Sequence, residues 1–378
     1  MRVQPEPLLV CDVCSDGASS VQSRPIMIRK ARTDNASNRR ASFVLVTALF
    51  LGLAACAESA TDPGGTGEAT NVRFLLNRPA DLQHSPWYMA EEQGFFAEEN
   101  LDVGIQPAPA DGSSVTTLTA VASGEMDIGI ADVTSMMLAL EQDPDLPVTI
   151  IFQHETGSRF AVMSLKSGAN VDEPEDLKEV PVYTLLSASV DEILQAWAFE
   201  QGLGKLTFKD VNTTAYAQFL LAGRIPTAVS TVEGEFALRE LAAKEGEELV
   251  MFAPREFGLD EIYGGVMVVN DDFAAEHPDA VEGFVAATLR GFEFTADNMD
   301  AVIEFMHAKF PIIAEEIEPL ARLQLRIDLA TDEGRVDIGV IDPAAMAKTV
   351  EFLQGGLDLE QEIAPEDIFT TEFFPAGS

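Results

Sequence analysis

VRFLLNRPADLQHSPWYMAEEQGFFAEENLDVGIQ, Val72 to Gln106, is the stretch that decides the fold. Val72 to Leu76 is a short β-like run, Pro86 to Glu99 carries a helical pattern, and Val103 to Gln106 is a second β-like run. A strand, a helix and another strand within about thirty residues is the unit from which parallel α/β sheets are built.

The rhythm continues outward. A helix is predicted over Ser113 to Ser123 and a strand over Ile128 to Ala131; further strands lie near Val148 to Phe152, Phe160 to Leu165, Val180 to Leu185, Ala228 to Val232 and Gly264 to Val269. Helices are predicted near Val190 to Gln201 and Glu235 to Lys244. Two doubly wound α/β lobes follow from this alternation. Beyond Val269 the chain reads as mostly helical, and Val281, Phe284, Val285, Thr288 and Phe292 recur at helical spacing, the mark of a core-facing stripe.

Upstream of Val72 the character changes. Arg29, Lys30, Arg32, Arg39 and Arg40 precede an apolar run from Phe43 to Ala55, the order of a secretory signal. The run is shorter than the roughly 20 residues that span a bilayer, and it ends in Leu53-Ala54-Ala55-Cys56. Those four residues resemble the bacterial lipobox, which implies cleavage before Cys56 and lipidation of its thiol. The chain would then be anchored to the membrane rather than span it. Residues 57 to 70 are small, polar and Gly-rich, the composition of a flexible tether. Cys11 and Cys14 lie upstream of that cleavage point, so the mature chain would hold no disulfide.

The organisation expected is therefore a signal region at 1–55, with Met27 as an alternative start, then the lipidated cysteine and tether at 56–70. The first part of lobe I is expected at 71–163, lobe II at 164–262, and the return to lobe I with C-terminal helices at 263–378. The formal net charge of −39 disfavours nucleic acid and anionic membrane as partners, because phosphates would be repelled. The acids are scattered, as suits hydration of a secreted surface.

Asn77, Gln83, His84, Tyr88 and Ala90 resemble the opening of periplasmic binding proteins of the NMT1/THI5-like group. Gln93-Gly94-Phe95-Phe96, Ala122-Ser123-Gly124 with Asp127-Ile128-Gly129, Glu173-Pro174-Glu175-Asp176-Leu177-Lys178, Thr231-Val232-Glu233-Gly234-Glu235 and Phe369-Thr370-Thr371-Glu372-Phe373 extend the likeness in order along the mature chain. The resemblance implies a type II periplasmic binding protein fold, with two lobes joined by crossing strands and a ligand held between them. It implies a small-molecule ligand, an ABC permease with a separate ATPase subunit as partner, an extracytoplasmic location and a monomer without cofactor. The ligand it ranks first is a thiamine-pyrimidine precursor or related heterocycle.

Loops that leave strand ends and enter helix N-termini are where such folds hold ligands. The first is Asn77 to His84. Group members with pyrimidine ligands show Asn-Trp-x-Pro-Asn where this chain reads Asn77-Arg78-Pro79-Ala80-Asp81, so a stacking tryptophan is replaced by Arg78. A guanidinium can stack by its plane or pair with a carboxylate or phosphate. That leaves a sulfonate, nitrate or other small anion as the second ligand class.

Arg78, Asp81 and His84 are candidates from this loop, and His84 could equally hold the loop's backbone. Ser113, Ser114 and Asp132 are candidates that would cap helices in any case. From lobe II come Ser187, Ser189, Glu192 and Glu235, with Tyr263 at the crossover to cover the ligand or brace the hinge. Trp87 is assigned to the core.

No G-x-x-x-x-G-K-[ST], G-x-S-x-G or H-E-x-x-H occurs, and the four histidines show no metal-ligand spacing. The chain therefore reads as a non-enzyme without a metal site. Two rivals of other classes remain: a pyrimidine synthase like the group's eukaryotic namesakes, and a lipid-anchored sensor domain.

Overall fold

The computed structural model describes residues 68–375 apart from 110–112, 185–187, 212–214, 316, 333, 335–336 and 358. The run read as a secretory signal, Cys56 and most of the expected tether lie outside the described residues. The described residues belong to one compact unit, and no helix among them is long and apolar enough to cross a membrane.

Thr70–Leu75 forms β1 and Leu101–Gln106 forms β2, paired in parallel register from Thr70 opposite Leu101 to Leu75 opposite Gln106. The helix expected between them is broken in two, Ser85–Glu92 and Phe95–Glu98. Gly94 separates the pieces with φ +77°, a left-handed conformation that ends a helix at little cost only for glycine. Ile128–Asp132 (β3) and Val148–Gln153 (β4) join the same sheet.

The chain then crosses to a second sheet built from Phe160–Leu165 (β5), Val182–Thr184 (β6), Phe208–Asp210 (β7), Thr227–Thr231 (β8) and Leu249–Phe252 (β9). It returns as Gly265–Asn270 (β10). The sheet orders are β2-β1-β3-β10-β4 and β7-β6-β8-β5-β9. In each sheet the strand that arrives from the other lobe, β10 in the first and β5 in the second, is antiparallel to both neighbours. The two crossing segments lie side by side, with the Gly157 N–H donating to the Ile262 carbonyl at 2.7 Å and the Gly264 N–H to the Glu155 carbonyl at 3.0 Å. The expected boundary between 163 and 164 thus falls inside β5, and the change of lobe lies between Gln153 and Phe160.

Alternation along the strands fills both faces of each sheet, as parallel sheets require. Phe74, Ile130 and Met267 pack with Trp87, Phe284 and Phe292 on one face of the first sheet, whereas Leu75, Ala131 and Val268 pack on the other. The predicted stripe lies on the helix Pro278–Asp297, and its five residues are fully buried. In the second sheet Val162, Val182 and Val229 face the helix Ala188–Glu200, and Ala161, Met163 and Ala228 face Leu220 and Leu238.

Elements that sequence reading passed over have physical reasons. β7 is an edge strand carrying Lys209 and Asp210 exposed, so it lacks an apolar run. The helix Val133–Gln142 starts directly at the end of β3 with no intervening turn, capped by Asp132, and its opening merges with the strand.

Gly291 lies where the helices Ser85–Glu92 and Pro278–Asp297 touch. A Cβ there would fall 2.1 Å from the Pro86 carbonyl oxygen and 3.1 Å from the Ala90 Cβ. Gly291→Ala should therefore force the helices apart, at the roughly 1–3 kcal/mol typical of overpacking. Thermal unfolding would show this as a lower midpoint, and an unchanged or higher midpoint would contradict so close an approach.

Candidate functional site

The ends of β1 and β3 in lobe I face the segment entering β5, the end of β8 and the helix Ala188–Glu200 in lobe II across a cleft of about 600 Å³. Apolar side chains make much of its wall: Trp87, Ile130 and Leu138 from lobe I, Phe160, Val190 and Ile193 from lobe II. Arg78, His84, His154, Arg159 and Arg326 supply its charge and hydrogen-bonding capacity.

Of the residues singled out by sequence, Arg78, His84, Ser113, Ser114, Asp132 and Tyr263 line this cleft. Most also do structural work. Ser113 caps its helix by accepting the Thr116 N–H at 3.4 Å, and Asp132 accepts the Ser135 N–H at 2.7 Å and its hydroxyl at 3.0 Å. Tyr263 accepts the Asp342 N–H on its hydroxyl at 2.9 Å, which ties the second crossing segment to the helix Pro343–Gly356.

Asp81 is not among the lining residues; it caps the turn Leu82–His84, accepting the Gln83 N–H at 3.0 Å, and sits 2.8 Å from His84 Nδ1. Glu192 is exposed and away from the cleft, and Glu235 ion-pairs with Arg239 one turn along its own helix. Ser187 lies outside the described residues, as does the side chain of Ser189. Trp87, assigned to the core, is almost fully buried and forms part of the cleft wall as well.

Sequence reading missed the group that joins the lobes. Gln83 of lobe I donates from Nε2 to Glu233 Oε1 of lobe II at 2.6 Å. Arg159, just before β5, donates to the same Glu233 oxygen at 2.7 Å, to Gln83 Oε1 at 3.3 Å and to Glu155 Oε2 at 3.5 Å. Arg78 donates to Asp81 at 2.9 Å and also to Gln83. Arg326 lies 3.9 Å from Glu155 and stacks over Trp87 and Phe292 with its guanidinium 5.5 and 5.3 Å from the ring centres. Each of the three arginines therefore has a carboxylate beside it. Glu233 was within reach of sequence reasoning, two residues before the Glu235 it chose; Arg159 carries little local signal, because two of its partners, Gln83 and Glu233, come from distant segments.

Burial sets the protonation of this layer. It would raise the carboxyls of Asp81 and Glu233, but Asp81 is held well below the usual range by His84 and Arg78, and Glu233 is lowered by Arg159. Burial pulls Arg326 down to about 10, which leaves it charged at neutral pH. Both cleft histidines are depressed by burial: His84 despite Asp81, and His154 further by Arg326 and His84.

Residues 81–301 match the family model described as NMT1/THI5 like. The formylaminopyrimidine-binding protein of Halalkalibacterium halodurans is 26% identical over 341 residues, 87% of this chain and 98% of that protein. The riboflavin-binding protein RibY of Chloroflexus aurantiacus is 23% identical over 336 residues, 86% of this chain and 92% of that one. A 4-amino-5-hydroxymethyl-2-methylpyrimidine phosphate synthase of Candida albicans is 27% identical over 233 residues, 59% of this chain and 66% of the synthase. Among solved structures, the aliphatic sulphonate binding protein SsuA of Escherichia coli superposes with a TM-score of 0.61 at 10% identity, covering 79% of this chain and 97% of that one. At that identity the likeness speaks for the periplasmic binding protein fold alone.

The two depressed histidines have a consequence for stability. In the unfolded chain each titrates near 6.5, and in the folded chain lower. As pH falls the unfolded state takes up protons first, so stability present above about pH 6.5 is lost below it, by up to about 1.4 kcal/mol per pH unit for each histidine. The carboxylates add to the loss only near pH 4 and below. Midpoints measured from pH 8 to pH 5 should hold level to about pH 7 and then fall; a curve level to pH 5 would show that neither histidine is buried neutral.

Proposed function

The chain belongs to the NMT1/THI5-like family, and from that premise we propose that it is the extracytoplasmic solute-binding lipoprotein of an ABC importer, taking an uncharged heterocycle between its lobes and handing it to a permease. What carries the choice of ligand is the charge balance of the cleft. Arg78 is engaged by Asp81, and Arg159 by Glu233 and Glu155; Arg326 has Glu155 beside it. Among the described residues each guanidinium that lines the cleft already has a carboxylate within 4 Å, and Asp132 adds a further carboxylate to the lining. An anion entering this site would lose its hydration without gaining a counter-charge.

A planar uncharged ring suits the site better. Most of the exposed wall surface is apolar, with Trp87 and Phe160 contributing rings, and the volume is within the roughly 300–1,000 Å³ usual for small-molecule clefts. Arg78 stands where pyrimidine binders of this group have a tryptophan, and its bonds to Asp81 and Gln83 turn it from an anion receptor into a support for the loop. The relatives aligned over nearly their whole length are named as binding proteins for heterocycles. The synthase reading has less support, because that alignment covers only 66% of the synthase.

Thermal shift on residues 57–378, stripped of carried-over ligand, tests the ligand class. Formylaminopyrimidine or riboflavin should raise the midpoint, since a ligand at 100 times its Kd stabilises by ~2.7 kcal/mol, whereas an alkanesulfonate and nitrate should leave it unmoved. The reverse pattern would overturn the reading. Lipidation is tested in the full chain expressed in a bacterium. The protein should take up labelled fatty acid and fractionate with membranes, and Cys56→Ser should abolish both; unlabelled wild-type protein would remove the anchor.

A further inference from the structure

His154 is the first residue after β4, at the start of the segment that crosses to lobe II, and it lines the cleft while almost fully buried. Its ring meets Trp87 edge to face, with centroids 5.4 Å apart and planes at 89°. The Arg326 guanidinium forks onto it, Nη1 donating to the His154 carbonyl at 3.2 Å and Nη2 lying 2.8 Å from Nδ1. A guanidinium has donors only, so Nδ1 must present its lone pair to Arg326. Burial beside that cation keeps the imidazole neutral, and a neutral imidazole with an accepting Nδ1 carries its proton on Nε2. That Nε2 is buried and makes no hydrogen bond within the protein.

The contrast with His84 is informative, because both of its nitrogens have protein partners, Asp81 at Nδ1 and Asn77 at Nε2, 3.4 Å away. The backbone also makes room for the His154 ring. A Cβ on Gly265 would lie 2.4 Å from His154 Cε1 and 3.0 Å from each ring nitrogen, so a side chain there would displace the imidazole.

We infer that the His154 Nε2–H is a specificity donor of the cleft, reading a hydrogen-bond acceptor on the edge of the bound heterocycle, with Arg326 as the positioning residue that sets the tautomer. This rests on the heterocycle reading above and narrows it to rings that bear a carbonyl oxygen or a pyridine-type nitrogen at that edge. A ring presenting an amino group there would oppose donor to donor. Sites built around one buried hydrogen bond discriminate sharply against ligands that cannot make it.

Long-range 15N–1H spectra of the histidines in residues 57–378, the span holding the compact unit of the described residues, identify which nitrogen carries each proton and do not depend on any variant folding. At pH 7.5 His154 should be protonated on Nε2, and saturating riboflavin or formylaminopyrimidine should shift that Nε2 resonance. His154→Phe, which keeps a ring but removes the donor, should weaken binding of whichever probe binds by roughly 10- to 100-fold. Arg326→Met should shift the tautomer ratio, a readout that a purely packing role would not move. A proton on Nδ1, or an Nε2 resonance unmoved in a complex that does form, overturns the assignment while leaving the heterocycle reading in place. Binding of neither probe at millimolar concentration overturns that reading, and the role of His154 with it.

Discussion

Arg159 sits at the point where the chain enters the second lobe, and it has to be paired because a guanidinium there is largely out of water. Glu155, four residues earlier on the same crossing segment, meets it from one side, and Glu233, from the loop after β8, meets it from the other. Gln83 then carries the chain of contacts across the cleft to the lobe I loop. The hinge, the far lobe and the near lobe are joined at one cation, and the shape and charge of the cleft follow from that junction.

The topology explains why such a junction is available. Each sheet accepts one antiparallel strand from the other lobe, so the two crossing segments run side by side through the middle of the molecule. Residues on them face the cleft from below, while loops at strand ends face it from both walls. Tyr263 and the helix Pro343–Gly356 brace this centre from outside, and that helix packs closely on lobe II, where Gly356 comes within contact of Ala196. Hinge motions in such molecules are confined to a few residues between rigid bodies. Here those residues also carry buried ion pairs, and the neutral amide of Gln83 makes the contact from lobe I across the cleft.

The same layer gives the cleft a chemical character that its individual residues do not announce. Three arginines would suggest an anion site, yet their partners cancel them. Two histidines would suggest a proton relay, yet burial disfavours their charged form, and among the described residues no cluster fit to hold a metal occurs. What remains is a cleft whose exposed surface is mostly apolar, with oriented donors and acceptors around it.

The βαβ rhythm around Val72 to Gln106 and the stripe on Pro278–Asp297 were legible in the sequence, because strand and helix periodicity are local properties of a chain; the lobe I loop of Arg78 and His84 was reached through the family resemblance and its place after a strand. The charged edge strand β7 was not, since its existence depends on a neighbour to pair with. Asp81, Glu192 and Glu235 were chosen because they fall at positions matched by the family resemblance near helix starts, and such positions serve capping and surface ion pairs as readily as ligands. Arg159, Glu155, His154 and Arg326 could be recognised only after folding: Arg159 and Glu233 lie 74 residues apart, and Arg326 and His154 172. The sequence by itself determined the two-lobed α/β architecture, because burial of alternating apolar runs admits few others. Tertiary structure alone decided the charge and tautomers of the cleft, because those depend on which distant groups come within hydrogen-bonding distance once water is excluded.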